Sequence, residues 1–284
     1  MSARGLVNGG RKSWRLLRSS PRESPCAFQL FGSEAETLAE ACRLLADEGA
    51  EWIDLNVGCP VKKFIRSGAG SALLRDLPRA GAIVRAMRAA FPGTLSVKMR
   101  TGWDAASMNA HEFARIAEAE GAELLSVHGR TRSQQYQGEA DRAAIRRVVE
   151  ATPDLPVLAN GDIRQPDEAL SMLRETGAAG VMIGRGAMGN PWIFQQILSL
   201  HAEGWVSAPT ASARLDTIER HIGLMRESFP DDALLASNLK KYVAAYSKGM
   251  QGSAAFRQAA LESTDLAFLL DHTRRYFSAF LEER

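Results

Sequence analysis

The stretch "TLSVKMRTGWDAASMNAHEFARIAEAEGAELLSVHGR", residues 94–130, contains a short apolar run, a longer amphipathic segment and a second short apolar run. The runs at 94–102 and 122–130 are rich in Val, Leu and Met and predict β-strands, whereas the apolar residues between them recur at helical spacing. Gly121 closes the helical segment, as is common at helix C-termini. The stretch therefore predicts one β-α-β unit with parallel strands.

The same alternation continues on both sides of this unit, from residue 26 to about residue 200. It adds predicted strands at 26–32, 51–58, 155–162 and 178–186. Several runs are apolar nearly throughout, which is typical of parallel strands covered on both faces. Each run ends in polar residues or glycine, and (β/α)8 barrels and doubly wound sheets keep their active sites at that end of the strands. The sequence predicts an α/β fold with its chemistry at the carboxyl edge.

The strand pattern stops near residue 205, and residues 208–284 have helical patterns only. We therefore predict two domains, a barrel over 1–205 and an all-helical domain over 206–284. Basic and acidic residues are balanced in the helical part. Lys240, Lys241, Lys248 and Arg257 cluster around one predicted helix, a pattern that usually marks a solvated face.

The composition is that of a chain with a sizeable core, since 45% of the 284 residues are hydrophobic. No apolar run approaches the roughly 18 residues of a membrane span, and the N-terminus lacks the apolar segment of a secretory signal. We expect a cytoplasmic protein with no membrane attachment. The net charge of +2 is uninformative. Residues 1–25 have an excess of basic residues, and such a stretch is more often a solvated arm than a nucleic-acid contact.

The three cysteines, Cys26, Cys42 and Cys59, are too few for a disulfide framework. No Cys/His spacing indicates zinc, and no metal is expected. Cys26 precedes a strand and Cys42 lies in an amphipathic helix, so both suit a structural role. Cys59 lies between glycine and proline at the end of a strand, where a side chain can face a ligand.

The last two strand ends, "ANGD" (159–162) and "IGRG" (183–186), place glycines where backbone N–H groups can approach a ligand. Barrel enzymes frequently bind a phosphate at this place. For either motif alone, the simpler interpretation is that its glycines only allow the chain to turn. "VKMR" and "VHGR" at matching ends of two earlier strands favour a ligand site. Lys98 in the first of these could compensate the negative charge of a reduced flavin, or merely cap its strand.

Five segments together resemble the tRNA-dihydrouridine synthases over roughly residues 1–250. They are "DLNVGCPVKKFIRSGAGSALL" (54–74), "VKMRTGWD" (97–104), "VHGRT" (127–131), "ANGDI" (159–163) and "VMIGRGAMGNPWIF" (181–194). The resemblance implies a (β/α)8 TIM barrel followed by a helical tRNA-recognition domain. It also implies FMN as cofactor, NADPH as reductant, tRNA as partner, no stable protein partner, and reduction of a D-loop uridine to 5,6-dihydrouridine.

By this resemblance, Cys59 gives a proton to C5 of the uracil while the reduced flavin gives a hydride to C6. A thiol suits that task, because a pKa near about 8.5 keeps it protonated at neutral pH yet able to release its proton. Asn56 and Arg100 would face the uracil. The residues implied for FMN are Gln29, Lys98, His128, Asn160, Gly161, Asp162, Gly184 and Arg185. The aromatic residues Trp103, Trp192 and Tyr136 are expected to pack.

Two other functions stay open at this point. The first is a barrel flavoenzyme acting on a free pyrimidine, in the manner of dihydroorotate or dihydropyrimidine dehydrogenases, although the helical domain argues against it. The second is a protein that binds tRNA without turnover. A uridine in folded tRNA must leave its stack to reach a flavin, which calls for a second surface on the protein. The helical domain and the basic stretch at 1–25 are the candidates.

The strand count is two short of a closed eight-stranded barrel. Relatives begin with a further strand, helix and strand, on the order of 40 residues at ordinary element lengths. We therefore expect that Met1 is an internal methionine of a longer product, or that the chain is a truncated paralogue. The chain as written is expected to be poorly soluble or partly unfolded and to bind FMN weakly, because two strand pairs and one pocket wall are missing. Its activity is therefore in doubt.

Overall fold

The computed structural model describes residues 1–229 and 231–281. The chain divides into two compact units. The first consists of Met1–Asp162 and Ala169–Met182, and the second of Ile163–Glu168 and Ile183–Arg284. The first contains a β-sheet, and the second contains the C-terminal helices.

The first unit has a TIM-barrel-like α/β fold built on one parallel sheet. Among the described residues the sheet has six strands, each paired with the next in sequence. They are β1 (Ala27–Leu30), β2 (Trp52–Val57), β3 (Thr94–Arg100), β4 (Leu124–His128), β5 (Val157–Asn160) and β6 (Gly180–Met182). Each lies inside one of the six predicted runs, so the predicted α/β fold is confirmed. Ser2 adds an isolated parallel bridge to Phe31, just beyond β1.

Helices flank the sheet and cover one of its faces. They are α1 (Ala3–Val7), α2 (Arg11–Trp14), α3 (Ala35–Asp47), α4 (Lys62–Arg66), α5 (Leu77–Ala90), α6 (Ala110–Ala119), α7 (Arg142–Ala151) and α8 (Pro166–Thr176). Their apolar sides supply fully buried residues such as Leu38, Ile83, Phe113 and Ile145. This burial is the main contribution to the stability of the first unit.

The two faces of the sheet differ in chemistry, although the runs looked apolar nearly throughout. One face carries mainly apolar residues in every strand, and its interior members, such as Leu55, Val97 and Val127, are fully buried. Register partners in neighbouring strands share a face. On the other face the pairs Asn56 and Lys98, then Arg100 and His128, lie side by side. The sheet therefore gathers polar side chains on one face.

The second unit consists of helices, as predicted for the region after residue 205. They are α9 (Ile193–Glu203), α10 (Ala211–Ser228), α11 (Asp232–Tyr246), α12 (Ser253–Glu262) and α13 (Leu266–Ser278). Thr210, Asp231 and Asp265 cap α10, α11 and α13 with side-chain oxygens that accept backbone N–H bonds. Phe256 and Phe277 lie in an apolar core of this unit. Among the described residues, no helix has both the length and the hydropathy to cross a bilayer.

Candidate active site

The polar face of the sheet brings most of the predicted site residues together. Gln29 pairs with Asp54, Asn56 with Lys98, and Lys98 with Ser126 in the register of successive strands. Arg100, His128 and Asn160 form the next row, at the carboxyl ends of β3, β4 and β5. Six of the predicted residues, Gln29, Asn56, Lys98, Arg100, His128 and Asn160, thus share one face within the first unit.

Cys59 follows β2 in a turn that is held from three directions. The Asn56 Oδ1 atom accepts hydrogen bonds from the backbone N–H groups of Gly58 at 3.0 Å and Cys59 at 2.9 Å. The Ser71 hydroxyl donates to the Cys59 carbonyl at 2.9 Å. Gly70, at φ +62°, lies under the turn, where an added Cβ would come within 3.0 Å of Cys59 Cβ. The thiol is half-buried on a fixed backbone.

Arg100 fixes the same turn from the neighbouring strand. Its side chain is almost fully buried, and its Nε donates to the Gly58 carbonyl at 3.0 Å. Its Nη1 donates to the carbonyls of Thr131 and Gln135, both at 2.8 Å. The guanidinium therefore joins the Cys59 turn to the loop that follows β4. Its predicted contact with uracil stays a prediction.

Gln29 and Asn56 are joined to each other and to a buried carboxylate. Asn56 Nδ2 donates to Gln29 Oε1 at 2.7 Å, and Gln29 Nε2 donates to Asp54 Oδ2 at 2.7 Å. The Ser96 hydroxyl donates to the other oxygen of Asp54 at 2.6 Å. Each amide keeps a second N–H for a ligand, and Gln29 Oε1 also keeps a second lone pair, whereas both lone pairs of Asn56 Oδ1 are engaged by the turn.

Lys98 is half-buried on the polar face, between Asn56 and Ser126. Burial lowers the pKa of its ammonium, and the negative charge of Asp54 opposes that shift. The side chain thus places a cation in a partly desolvated site, where its interaction with an anion is stronger than in water.

His128 and Arg130 are buried and form a cluster with the half-buried Asp162 at the ends of β4 and β5. Arg130 binds the Asp162 carboxylate through two bonds, Nη1 to Oδ1 at 2.9 Å and Nη2 to Oδ2 at 2.6 Å. The backbone N–H of Ala140 donates to the same carboxylate at 2.8 Å. Burial, together with the charge of nearby Arg100, lowers the pKa of His128 to about 3. His128 is therefore a neutral imidazole at physiological pH.

The buried neutral state of His128 predicts a loss of stability in acid. Its folded pKa of about 3 lies below an unfolded value near 6.5. Its contribution is therefore complete above pH 6.5 and is lost as the pH falls from there toward 3. The slope for one proton is at most about 1.4 kcal/mol per pH unit. Urea unfolding between pH 7.5 and 5 should show a smaller pH dependence in His128→Gln than in the wild type. The exposed His201→Gln is the control, and equal slopes in all three proteins would refute the assignment.

The remaining predicted residues lie at the ends of the last two strands. Gly161 has φ +132°, and an added Cβ would lie 2.6 Å from Ala140 Cβ, so only glycine fits this position without a shift. Asn160 Nδ2 donates to the Met182 carbonyl at 2.7 Å and ties β5 to β6. Gly184 and Arg185 are exposed and belong to the second unit. Their role toward a cofactor stays a prediction.

Four residues of the site were given no role by the sequence analysis. Asp54, Ser96 and Arg130 are buried. Asp54 accepts from Gln29 and Ser96, and Arg130 donates to Asp162. Tyr136, expected to pack, is 57% exposed, with the Arg100 guanidinium 5.7 Å from its ring centroid. The signal for Asp54 was its charge inside an apolar strand, because a carboxylate is rarely buried without partners.

The second unit contains a basic pocket of about 530 Å³. The side chains that line it include Arg164, Arg185, Arg214 and Lys248, with no Asp or Glu among its lining residues. Arg214 Nη1 donates to the Tyr246 carbonyl at 3.2 Å, and its guanidinium lies 5.2 Å from the centroid of the Trp192 ring. The pocket has the chemistry of an anion site.

Comparison with known proteins places the chain in a family. The tRNA-dihydrouridine synthase B of Xanthomonas axonopodis pv. citri is 40% identical over 276 residues, covering 96% of this chain and 82% of that protein. A probable tRNA-dihydrouridine synthase of Rickettsia bellii is 39% identical over 284 residues, covering 99% and 86%. A nitroalkane oxidase structure from Streptomyces ansochromogenes, covering 100% of this chain and 88% of its own, has 16% identity and a TM-score of 0.36, too low to bear on fold or function. A family model described as dihydrouridine synthase (Dus) matches residues 1–281, and the chain belongs to that family.

Proposed function

We propose that the protein reduces a uridine in the D-loop of tRNA to 5,6-dihydrouridine, with FMN as cofactor and NADPH as reductant. The observation that carries the proposal is the half-buried thiol of Cys59, held on a fixed turn beside the polar face that presents Lys98. Family membership supports it, as do the relatives named tRNA-dihydrouridine synthase. We also place the protein in the cytoplasm, because its substrate is tRNA.

The residues of the polar face fit a flavin. Ser126, next to Lys98 in the register, has a buried hydroxyl with no hydrogen-bond partner within the described residues, so the face has polar capacity to spare. Gln29 and Lys98 would bind the ring, and His128, Asn160, Gly161 and Asp162 would lie along the ribityl chain. We assign Gly184 and Arg185 to its phosphate. When bound, FMN would supply a hydride to C6 of the uracil after reduction by NADPH.

Cys59 supplies the proton in this proposal. A protonated thiol is uncharged, so it approaches the uracil ring at little desolvation cost, and a thiol is acidic enough to protonate C5 as negative charge develops on the uracil. The hydrogen bonds to the turn hold the sulfur in place during that transfer. Asn56 and Arg100 would orient the uracil through N–H groups that their described bonds leave available.

Lys98 has an electrostatic role. A cation in a partly desolvated site favours the anionic form of whatever lies against it, and a reduced flavin is the anion proposed here. The neutral state of His128 is consistent with this role of Lys98. A cationic imidazole would repel the nearby charges of Lys98 and Arg100, and its own charge would be costly to bury.

The second unit is our candidate for recognition of the tRNA body, through residues 206–284 and the basic pocket. Three cationic side chains of its lining, Arg164, Arg214 and Lys248, suit the phosphodiester backbone. The basic residues of 1–25 are a second candidate surface. Because the net charge is only +2, we expect a few placed phosphate contacts.

The role of the basic pocket is testable with Lys248→Ala. Loss of one phosphate contact should weaken tRNA binding uniformly across tRNA sequences and lower the salt slope of log Kd by about 1. The matched control is Lys240→Ala, since the Lys240 ammonium lies outside the pocket and donates to the Leu261 carbonyl. Filter binding at several salt concentrations measures both. Equal losses in the two variants would remove the pocket from recognition.

The purified protein offers a direct test of the function. Because weak FMN binding is expected, FMN is added in excess. We then expect a flavin absorption spectrum from the bound cofactor, and oxidation of NADPH that is stimulated by unmodified tRNA but not by free uracil or uridine. Stimulation by free uracil instead would favour a free-pyrimidine reductase. Tight tRNA binding with no flavin and no NADPH oxidation would favour a binding protein without turnover.

A further inference from the structure

Asp54 is a buried acid to which neither the motif nor the proposed chemistry gives a role. Its side chain is 6% exposed, in the middle of β2. Its two oxygens accept from neutral groups, Ser96 and Gln29, and no ion pair to it is found among the described residues. A buried carboxylate without an ion-paired partner costs stability, and an apolar residue would fit a barrel interior better.

The hydrogen bonds around Asp54 have a fixed direction at their β3 end. The Trp52 indole N–H can only donate, and it donates to Ser96 Oγ at 2.9 Å. The Ser96 hydroxyl hydrogen is then directed to Asp54 Oδ1 at 2.6 Å. Asp54 Oδ2 is left to accept from the Gln29 amide. Asp54 is therefore an acceptor at both oxygens.

The direction is fixed independently at the Cys59 end. Backbone N–H groups can only donate, so the amide group that faces Gly58 and Cys59 must present its oxygen, Asn56 Oδ1. Asn56 Nδ2 must then point to Gln29 Oε1, and Gln29 Nε2 to the carboxylate of Asp54. The bonds at the β3 end and those at the Cys59 end thus require the same orientation of the Gln29 and Asn56 amides. That orientation needs a hydrogen-bond acceptor at position 54.

We propose that Asp54 is a positioning residue for Cys59. Its carboxylate orients an amide relay, defined as Asp54, Gln29, Asn56 and the backbone N–H groups of Gly58 and Cys59. The inference rests on the proposed function for its consequence in catalysis, but the relay itself is a property of the first unit. Asp54 does not touch the thiol; it acts through the two amides.

The relay predicts the effect of Asp54→Asn, which keeps the shape of the side chain. One orientation of the new amide presents its N–H to Gln29 and reverses both amides, so that Asn56 turns its NH2 toward the N–H groups of Gly58 and Cys59. The other orientation leaves the Ser96 hydroxyl hydrogen without an acceptor. The first orientation loses both hydrogen bonds to the turn, whereas the second loses only the bond from Ser96 and leaves the turn bonded. The turn is therefore released in a fraction of the molecules, and we expect hydrogen exchange at the Gly58 and Cys59 amides to become about three- to tenfold faster.

A double variant distinguishes the effect of reversed hydrogen bonds in the relay from a general loss of structure. In Asp54→Asn/Gln29→Glu the carboxylate moves one position along the relay. It accepts from the new asparagine and from Asn56, so every donor keeps an acceptor. We expect slow exchange at Gly58 and Cys59 to return. Thr152→Val is the matched control, because it removes a buried hydroxyl that donates to the Val148 carbonyl, outside the relay.

Hydrogen exchange at single-residue resolution on the full chain tests the proposal. Faster exchange in Asp54→Asn, restored in the double variant and absent in Thr152→Val, is the expected pattern. Unchanged exchange in Asp54→Asn, no recovery in the double variant, or the same loss in Thr152→Val would each overturn the relay.

Turnover gives a separate readout of the same variants. Asp54→Asn should lower the rate of dihydrouridine formation by about the same factor by which it accelerates hydrogen exchange at Gly58 and Cys59. A wild-type protein that forms no dihydrouridine would overturn the proposed function and leave the exchange result, and thus the relay, standing. Full activity in Asp54→Asn despite faster exchange would overturn the positioning role.

Discussion

Cys59→Ala should leave flavin binding and flavin reduction by NADPH intact while nearly abolishing dihydrouridine formation. The thiol acts only on the uracil, so the reductive half of the reaction does not need it. Loss of a general acid typically costs about 10²–10⁴-fold in rate. Stopped-flow absorbance of the flavin under anaerobic conditions measures the first half, and dihydrouridine in tRNA measures the second.

The matched control for this prediction is Cys26→Ala. Cys26 is also half-buried but lies before β1, away from the turn that follows β2. It should keep both half-reactions. Wild-type turnover in Cys59→Ala would remove Cys59 from the mechanism, and a loss of flavin reduction would show that the thiol does more than donate a proton.

Lys98→Ala should weaken FMN binding as well as turnover. A bond from a charged donor contributes about 1.5–3 kcal/mol, which corresponds to roughly 10–150-fold in the FMN Kd. Burial raises the pKa of the Asp54 carboxyl, and Lys98→Ala would also remove a positive charge that opposes this shift. Fluorescence titration of the apoprotein with FMN gives the Kd.

Lys63→Ala is the control for the loss of one positive charge, since Lys63 is exposed on α4. It should bind FMN as the wild type does. Unchanged FMN affinity in Lys98→Ala would return that lysine to a purely structural role in β3. Retained affinity together with lost turnover would indicate a contact with the uracil instead of the flavin.

The strands and their order could be predicted from the sequence, because each strand is a short apolar run followed by a helix closed near a glycine. The chemical difference between the two faces of the sheet was missed. Asp54 and Ser96 sit inside otherwise apolar runs, and the runs were therefore interpreted as buried on both faces. Alternation at period two was present, but the apolar residues on the outward face outweighed it.

The sequence predicted the site residues at strand ends, but it did not predict those in the loop after β4. Residues at strand ends, such as Lys98 and His128, follow from the rule that parallel strands end at one edge. Arg130 and Tyr136 depend on the path of the loop after β4, which bends back so that Arg130 meets Asp162. No local pattern specifies such a contact, because its partners are 32 residues apart in sequence.

We propose that this chain reduces a uridine of tRNA with Cys59 as the proton donor. The most direct measurement is mass spectrometry of nucleosides and oligonucleotides from an unmodified tRNA transcript, after incubation with the FMN-loaded protein and NADPH. We predict that a D-loop uridine gains two hydrogens with the wild type and with Cys26→Ala, and that the gain is nearly absent with Cys59→Ala. No gain with the FMN-loaded wild type, or an equal gain with Cys59→Ala, would contradict the account.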